Sequence, residues 1–381
     1  MSQYAAALSQ HPLATSAVGE VAGEVLERFD GERPDLLVCF ASPHHVGTFE
    51  DIASALRRLL EPEVMVGVTA VSIIAGPREV EDAPAVAVWA ARFDDAALTP
   101  VSLRMVETPD GAAVVGWPDV SVDGRTLLLL ADPFTFPVDA FLGRLNDDMP
   151  GLRVLGGLAS AARGPGGNRL VLDDDVVAEG AVGVFLDAAV DVRTVVSQGC
   201  RPIGRPFTVT RAEGNLVYEL GGQPALERLR ELAAEASDDE RALMQRGLHV
   251  GIVVDEHKVD FERGDFLVRN VMGAEESTGA LAVGDTVALG QTLQFHVRDA
   301  DAADEDLHAL LTGVDARAAL LFTCNGRGRH LFGVADHDAG VVEKLLGPIP
   351  VAGAFCAGEI GPVGGQNFLH GFTASLALFP E

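Results

Sequence analysis

Basic residues are scarce in this chain of 381 residues: 28 Lys and Arg stand against 56 Asp and Glu, a formal net charge of -28. Such a field repels nucleic-acid phosphates and anionic lipid headgroups, so neither nucleic acid nor a membrane surface is an expected partner. No Lys or Arg falls in the first 27 residues, so the basic start of a secretory signal is missing. No apolar run is long enough for a membrane span; "TLLLLA" (126–131) is among the longest. Cysteine is limited to Cys39, Cys200, Cys324 and Cys356, with no CxxC and no Cys/His pair at zinc spacing. The expectation is a cytoplasmic protein with thiol cysteines and no metal site.

Apolar residues make up 48% of the sequence, enough for a large core. Residues 14–29 carry apolar side chains at helical spacing, and 223–247 reads as a long helix. Three stretches share one grammar of buried strand, polar loop, helix and second strand, beginning at "LLVCFASPHH", "TLLLLADPFTFP" and "AALLFTCNGRGRH". Each second strand is built of small residues and contains a glycine: Gly67, Gly156 and Gly353. A glycine weakens a strand unless something must come close to its backbone. Strand–helix–strand units of this size predict parallel pairs. The sequence around them is β-rich, with a hairpin turning at "EGN" (213–215), and 161–168, "AARGPGGN", reads as a flexible loop. The expected fold is α/β: packed β-sheets with helices on the outside, built partly from recurrent βαβ units. A boundary is expected near 220, giving domains 1–220 and 221–381.

In open α/β sheets ligands sit beyond the carboxyl ends of strands. The loops at 41–45, 132–137 and 324–330 are therefore candidates for one shared site. Cys324 heads "CNGRGRH", where a thiol stands near Arg327 and Arg329; an activated nucleophile needs such a field and a base, which His44, His45 or His330 would supply. A small apolar side chain closing a strand is the plainer reading of the same residue. Arg327 lies between two glycines, suited to gripping a carboxylate or phosphate while backbone N–H groups face an anion. The pattern is not a P-loop. Glu359 in "CAGEIGP" is a carboxylate after a buried strand, a partner for an amine or for Arg327. His44, Asn325 and Arg201, the last in "QGCRPIGRPF", complete the candidate ligand-binding set. Arg327 and Glu359 are expected to face each other, partly exposed, so that Arg327→Ala would leave the fold intact.

The sequence resembles the FIST family, an N-terminal FIST domain followed by a FIST C-domain. "PDLLVCFASPHH", "DPFTFP", "GGLASA", "SQGCRPIGRPFTVTRAEGN", "RGDFLVRNVMG", "LLFTCNGRGR" and "AFCAGEIGPVGGQNFLHGF" carry the resemblance, from about residue 34 to 380. It implies a sensory module that binds small ligands, amino acids or related metabolites among them. Relatives occur beside kinase or cyclase modules, and some bacterial relatives bind haem and sense nitric oxide. No kinase, cyclase or receiver segment is recognisable here, so output is expected to pass through a separate signalling protein. The reading is a small-ligand sensor without catalytic residues. An enzyme with Cys324 as nucleophile, a haem-based gas sensor and a protein scaffold stay open as rivals.

Overall fold

Three apolar runs without alternation become strands buried on both faces, as such runs require: β2 (Leu36–Ala41), β9 (Thr126–Ala131) and β22 (Ala318–Cys324). The computed structural model describes residues 2–380 apart from 95, 110 and 259. Around β2 the first repeat holds β1 (Gln3–Ser9), α1 (Ala14–Arg28), α2 (Phe49–Leu60), β3 (Val64–Thr69), β4 (Ser72–Ala75), β5 (Arg78–Glu81) and β6 (Val86–Arg92). The second adds β7 (Leu98–Thr108), β8 (Gly111–Val115), α3 (Val138–Asp148), β10 (Arg153–Leu158), β11 (Leu170–Leu172), β12 (Asp175–Val177) and β13 (Ala181–Leu186). After β14 (Arg193–Gln198) come β15 (Cys200–Glu213), β16 (Leu216–Leu220), β17 (Gln223–Pro224), α4 (Ala225–Glu235), α5 (Asp238–Arg246), β18 (Leu248–Val253), β19 (Phe266–Glu275), β20 (Ala280–Val283) and β21 (Thr292–Arg298). The third repeat adds α6 (Ala300–Leu311), α7 (Arg329–Phe332), α8 (His337–Leu346), β23 (Val351–Cys356), β24 (Glu359–Val363), β25 (Gln366–His370) and β26 (Thr373–Phe379).

The chain forms two compact units. One comprises Met1–Val196, Leu307–Leu369 and Thr373–Glu381; the other comprises Ser197–Asp306 with His370–Phe372. Residue 220 lies inside the second.

In the first unit β2–β3, β9–β10 and β22–β23 are parallel pairs, each with an antiparallel third strand, β6, β13 or β26, on the first strand's other edge. Each repeat then gives its following hairpin to a sibling. β4–β5 joins β23, β11–β12 joins β3, and β24–β25 joins β10, always antiparallel to the second strand. The exchange is cyclic, so the unit has an internal pseudo-threefold plan. One face of all three sheets meets in a shared core containing Val38, Phe40, Leu128, Leu130, Leu320 and Phe322. The outer faces are covered separately by α1 and α2, by α3, and by α6 and α8. This is the expected α/β class, with packed sheets and helices outside.

The three glycines have one cause. Gly67, Gly156 and Gly353 are the register partners of Cys39, Leu129 and Leu321. A Cβ on each would crowd or overlap that partner's carbonyl oxygen. The close approach is therefore the neighbouring strand itself. At the carboxyl ends the second strands are tied together: Ser160 N–H donates to the Thr69 carbonyl (3.3 Å) and Ala357 N–H to the Leu158 carbonyl (3.1 Å). The 161–168 loop is anchored by Asn168, which is buried and donates to Asp132 Oδ1 at 2.9 Å.

In the second unit six antiparallel strands run in the order β15-β21-β18-β19-β20-β16, and β15 also pairs with β16, which closes a barrel. β15 reaches both neighbours because its pairing shifts at Ile203/Phe207, across Gly204 at φ 63. Ile203, Val250, Leu293, Phe295 and Val297 fill the inside. The "EGN" turn joins β15 to β16. The stretch 223–247 is two helices, not one: Ser237 and Glu240 form a capping box that starts α5 afresh.

Candidate functional site

The parallel register allows position-by-position comparison of the repeats. Three residues beyond Cys39, Leu129 and Leu321 lie Ser42, Asp132 and Cys324, the loop positions at the ends of the first strands. The third strands bring the backbone of Ala85, Gly180 and Thr373 opposite them. In the first repeat Ser42 Oγ accepts from the Ala85 N–H at 2.9 Å. In the second, Thr135 Oγ1 accepts from the Gly180 N–H at 2.9 Å while donating to Asp132 Oδ2 at 2.8 Å. The third repeat has a thiol at this position, a weak acceptor. There Glu359 Oε2, reaching in from the exchanged hairpin, accepts from Thr373 N–H (3.1 Å) and Oγ1–H (2.8 Å). Glu359 stands where the sibling hairpins carry Ile73 and Leu170. The pseudo-symmetry breaks at Cys324 and Glu359, and both are buried.

Beside them the "CNGRGR" turn folds back on itself. Arg327 N–H donates to the Cys324 carbonyl and Asn325 N–H to the Cys356 carbonyl, both at 2.8 Å. Gly328 adopts φ 61, and a Cβ there would meet the Glu81 carboxyl and the Phe355 ring. The turn buries the whole Arg327 side chain. Its Nε and Nη2 donate to Asp338 Oδ2 and Oδ1 at 2.7 and 2.8 Å, and its guanidinium carbon lies 5.2 Å from the Phe332 ring centre. Thr323 Oγ1 donates to the same Asp338 Oδ2 at 2.7 Å. Burial works against charge on both groups. The Arg327–Asp338 contact outweighs it, holding the carboxyl well below its usual range and the guanidinium charged. Glu359 adds further negative potential at Arg327. Its Nη1 finds no hydrogen-bond acceptor among the described residues.

The expectation that Arg327 and Glu359 would form a partly exposed pair is corrected. Asp338, eleven positions on, takes the guanidinium, and Thr373 takes Glu359, because α8 presents its first turn to the loop while β26 runs beside β24's carboxylate. The pair is buried, so Arg327→Ala is expected to strand a buried carboxylate and destabilise the fold.

Asn325 is exposed beside Cys324. His44 is exposed on the 3-10 turn after β2, while His45 is buried with its pKa lowered by desolvation. Arg201 belongs to the barrel unit, where its Nε donates to Asp299 Oδ2 at 2.6 Å and Glu240 lies 3.5 Å from Nη1. The sequence reading missed Asp338 and Glu79. Glu79 Oε1 accepts from the Ala339 N–H at the start of α8, and burial together with Asp338 pushes its pKa up to about 7. Nothing local marks either residue: Glu79 meets Ala339 of another repeat, and Asp338 meets Arg327 only where the turn after β22 folds against α8.

Histidine is the commonest axial ligand of haem. No cavity described here is lined by histidine. The His296 ring lies where a Cβ on Gly251 would be, and His249 packs edge-on to Phe372.

Family comparison adds to this geometry. The FIST N domain matches residues 35–223 and the FIST C domain residues 225–362. The chain belongs to the FIST family. FIST domains are sensory domains of signal transduction. The junction of the two matches falls within the barrel, and the third repeat begins in the FIST C part and runs past its end at residue 362. Similar chains include an uncharacterized protein of Mycobacterium bovis and one of Mycobacterium tuberculosis, each 48% identical over 376 residues and 97% of both chains. A second uncharacterized M. tuberculosis protein is 47% identical over 380 residues, 98% of both chains.

Proposed function

We propose that this FIST protein is a sensor for a small ligand of the amino-acid class, held by Cys324, Asn325, Arg327 and Glu359, that signals through a separate protein. The observation that carries the reading is Arg327 Nη1. Asp338 fixes and neutralises the far edge of the guanidinium, while a buried N–H on the near edge has no acceptor among the described residues. Leaving such a donor unpaired costs roughly 1–3 kcal/mol, which a ligand carboxylate would recover. The Glu359 carboxylate offers the opposite charge for a ligand ammonium. His44 and Arg201 do not enter the proposed contacts. As sequence domains we keep 1–220 and 221–381. We also propose a cytoplasmic location; among the described residues no helix is long and apolar enough to cross a membrane.

Native mass spectrometry of the purified chain tests the reading. An adduct of small-molecule mass, released by denaturation and absent from Glu359→Gln, supports it. An adduct retained unchanged by Glu359→Gln and by Arg327→Lys counts against it.

A further inference from the structure

Cys324 and Cys356 are register partners at the carboxyl ends of β22 and β23. Directly paired residues of parallel strands project to the same face, here the inner one, where Cys356 joins the shared core with Leu320 and Phe322. Neighbouring strands lie roughly 4.8 Å apart. That spacing falls inside the window of about 4.4–6.8 Å between the Cα atoms of bridged cysteines. All four cysteines of the chain carry thiols in this structure.

The sibling repeats show that packing does not require these sulfurs. The equivalent pairs are Ser42 with Ala70 and Asp132 with Ala159, and Ala70 and Ala159 fill the same shared core as Cys356. Only the third repeat sets two thiols side by side. Space is reserved for one of them: a Cβ on Gly157, in the sibling strand β10, would overlap Cys356 Sγ. The other shares its turn with a buried guanidinium: Arg327, three residues on, donates its backbone N–H to the Cys324 carbonyl at 2.8 Å. A guanidinium favours the thiolate, the reactive form.

We propose that Cys324 and Cys356 form a redox pair, with Cys324 as the thiol that meets oxidant and Cys356 as the resolving thiol. With a peroxide, the Cys324 thiolate attacks one oxygen, the O–O bond breaks, and the departing hydroxide or alkoxide takes a proton. The sulfenic acid left on Cys324 is attacked by Cys356 sulfur. The S–S bond forms, hydroxide leaves, and it takes the Cys356 proton to become water. Two thiols and one hydrogen peroxide thus give one disulfide and two waters. Burial and the neighbouring Glu359 and Cys324 hold the Cys356 thiol well above its usual range, so it resolves and does not initiate. The order of attack follows from that, and the pairing itself follows from the register. This inference does not depend on the ligand proposed above.

The test uses the full chain, exposed to graded hydrogen peroxide, then denatured, alkylated and mapped by mass spectrometry. The expected result is loss of two thiols and a single peptide pair linked through Cys324 and Cys356, reversed by dithiothreitol. The same link should form in the Cys39→Ala/Cys200→Ala variant. Cys356→Ala should stop at a singly oxidised Cys324, trapped by dimedone. Retention of all four thiols under conditions that oxidise a solvent-exposed model cysteine overturns the proposal. So does a link joining any other pair, or two chains.

Discussion

Glu359 and Thr373 are joined twice: one carboxylate oxygen accepts from both the amide and the hydroxyl of Thr373. In the other repeats a hydroxyl from the first loop performs that task, Ser42 for Ala85 and Thr135 for Gly180. Removing the acceptor should therefore be felt in the fold. Glu359→Leu leaves a buried N–H and O–H without their partner and should cost roughly 1–3 kcal/mol in urea unfolding. Glu359→Gln keeps an acceptor and should cost less. Cys324→Ser should be tolerated within about 1 kcal/mol, since Ser42 already occupies the equivalent position.

The Arg327–Asp338 pair gives a second expectation. Arg327→Met and Asp338→Leu should each destabilise by roughly 3–5 kcal/mol, because each leaves a buried charge uncompensated. The double variant should be more stable than either single variant. A strictly additive double-mutant cycle would contradict the pairing.

Glycine substitutions separate backbone approach from propensity. Gly353→Ala should destabilise by about 1–3 kcal/mol or more, its Cβ overlapping the Leu321 carbonyl. Gly19→Ala, exposed in α1 with nothing within 4 Å of its Cβ, should stabilise by about 0.5–1 kcal/mol. Thermal unfolding of the two variants checks both signs.

Acid should act through the barrel. Burial lowers His249 and His296 from 6.5 to about 4. A depressed histidine contributes stability above pH 6.5 and loses it as pH falls towards 4, roughly 3 kcal/mol per ring. Glu79 works the other way. Raised from 4.5 to about 7, it contributes below pH 4.5 and loses that contribution as pH rises through 7. Glu79→Gln, which keeps an acceptor for Ala339 N–H, should gain on the wild type above pH 7. Urea midpoints between pH 4 and 8 read both slopes.

Much of the first unit was legible because its signals are local. The runs at 36–41, 126–131 and 318–324 are continuous and apolar, and their second strands carry glycine where the neighbouring carbonyl must pass. The cyclic exchange of hairpins was not legible. β4 and β24 look like ordinary next strands, and only tertiary pairing sends them to a sibling sheet. The break at 236–237 was visible in "SDDE", a capping-box spacing outweighed by the apolar periodicity around it. Within the site, Cys324, Arg327 and Glu359 stood out through unusual residue types beside glycines. Asp338 and Glu79 did not, since a buried carboxylate has no signature until its cation is known. Asn367 of the "GGQNF" motif is structural, holding β25 to β10 through Val154 N–H at 2.8 Å and the Leu152 carbonyl at 2.7 Å.

Binding of an amino-acid-class ligand at Arg327 and Glu359 is tested most directly by isothermal titration of the standard L-amino acids into the wild-type chain, Glu359→Gln and Cys324→Ser. At least one of them should bind the wild type saturably. Glu359→Gln should lose at least tenfold in affinity, equivalent to about 1.4 kcal/mol. Binding should survive in Cys324→Ser. Absence of binding to the folded wild type, or binding of equal strength to Glu359→Gln, would contradict this assignment.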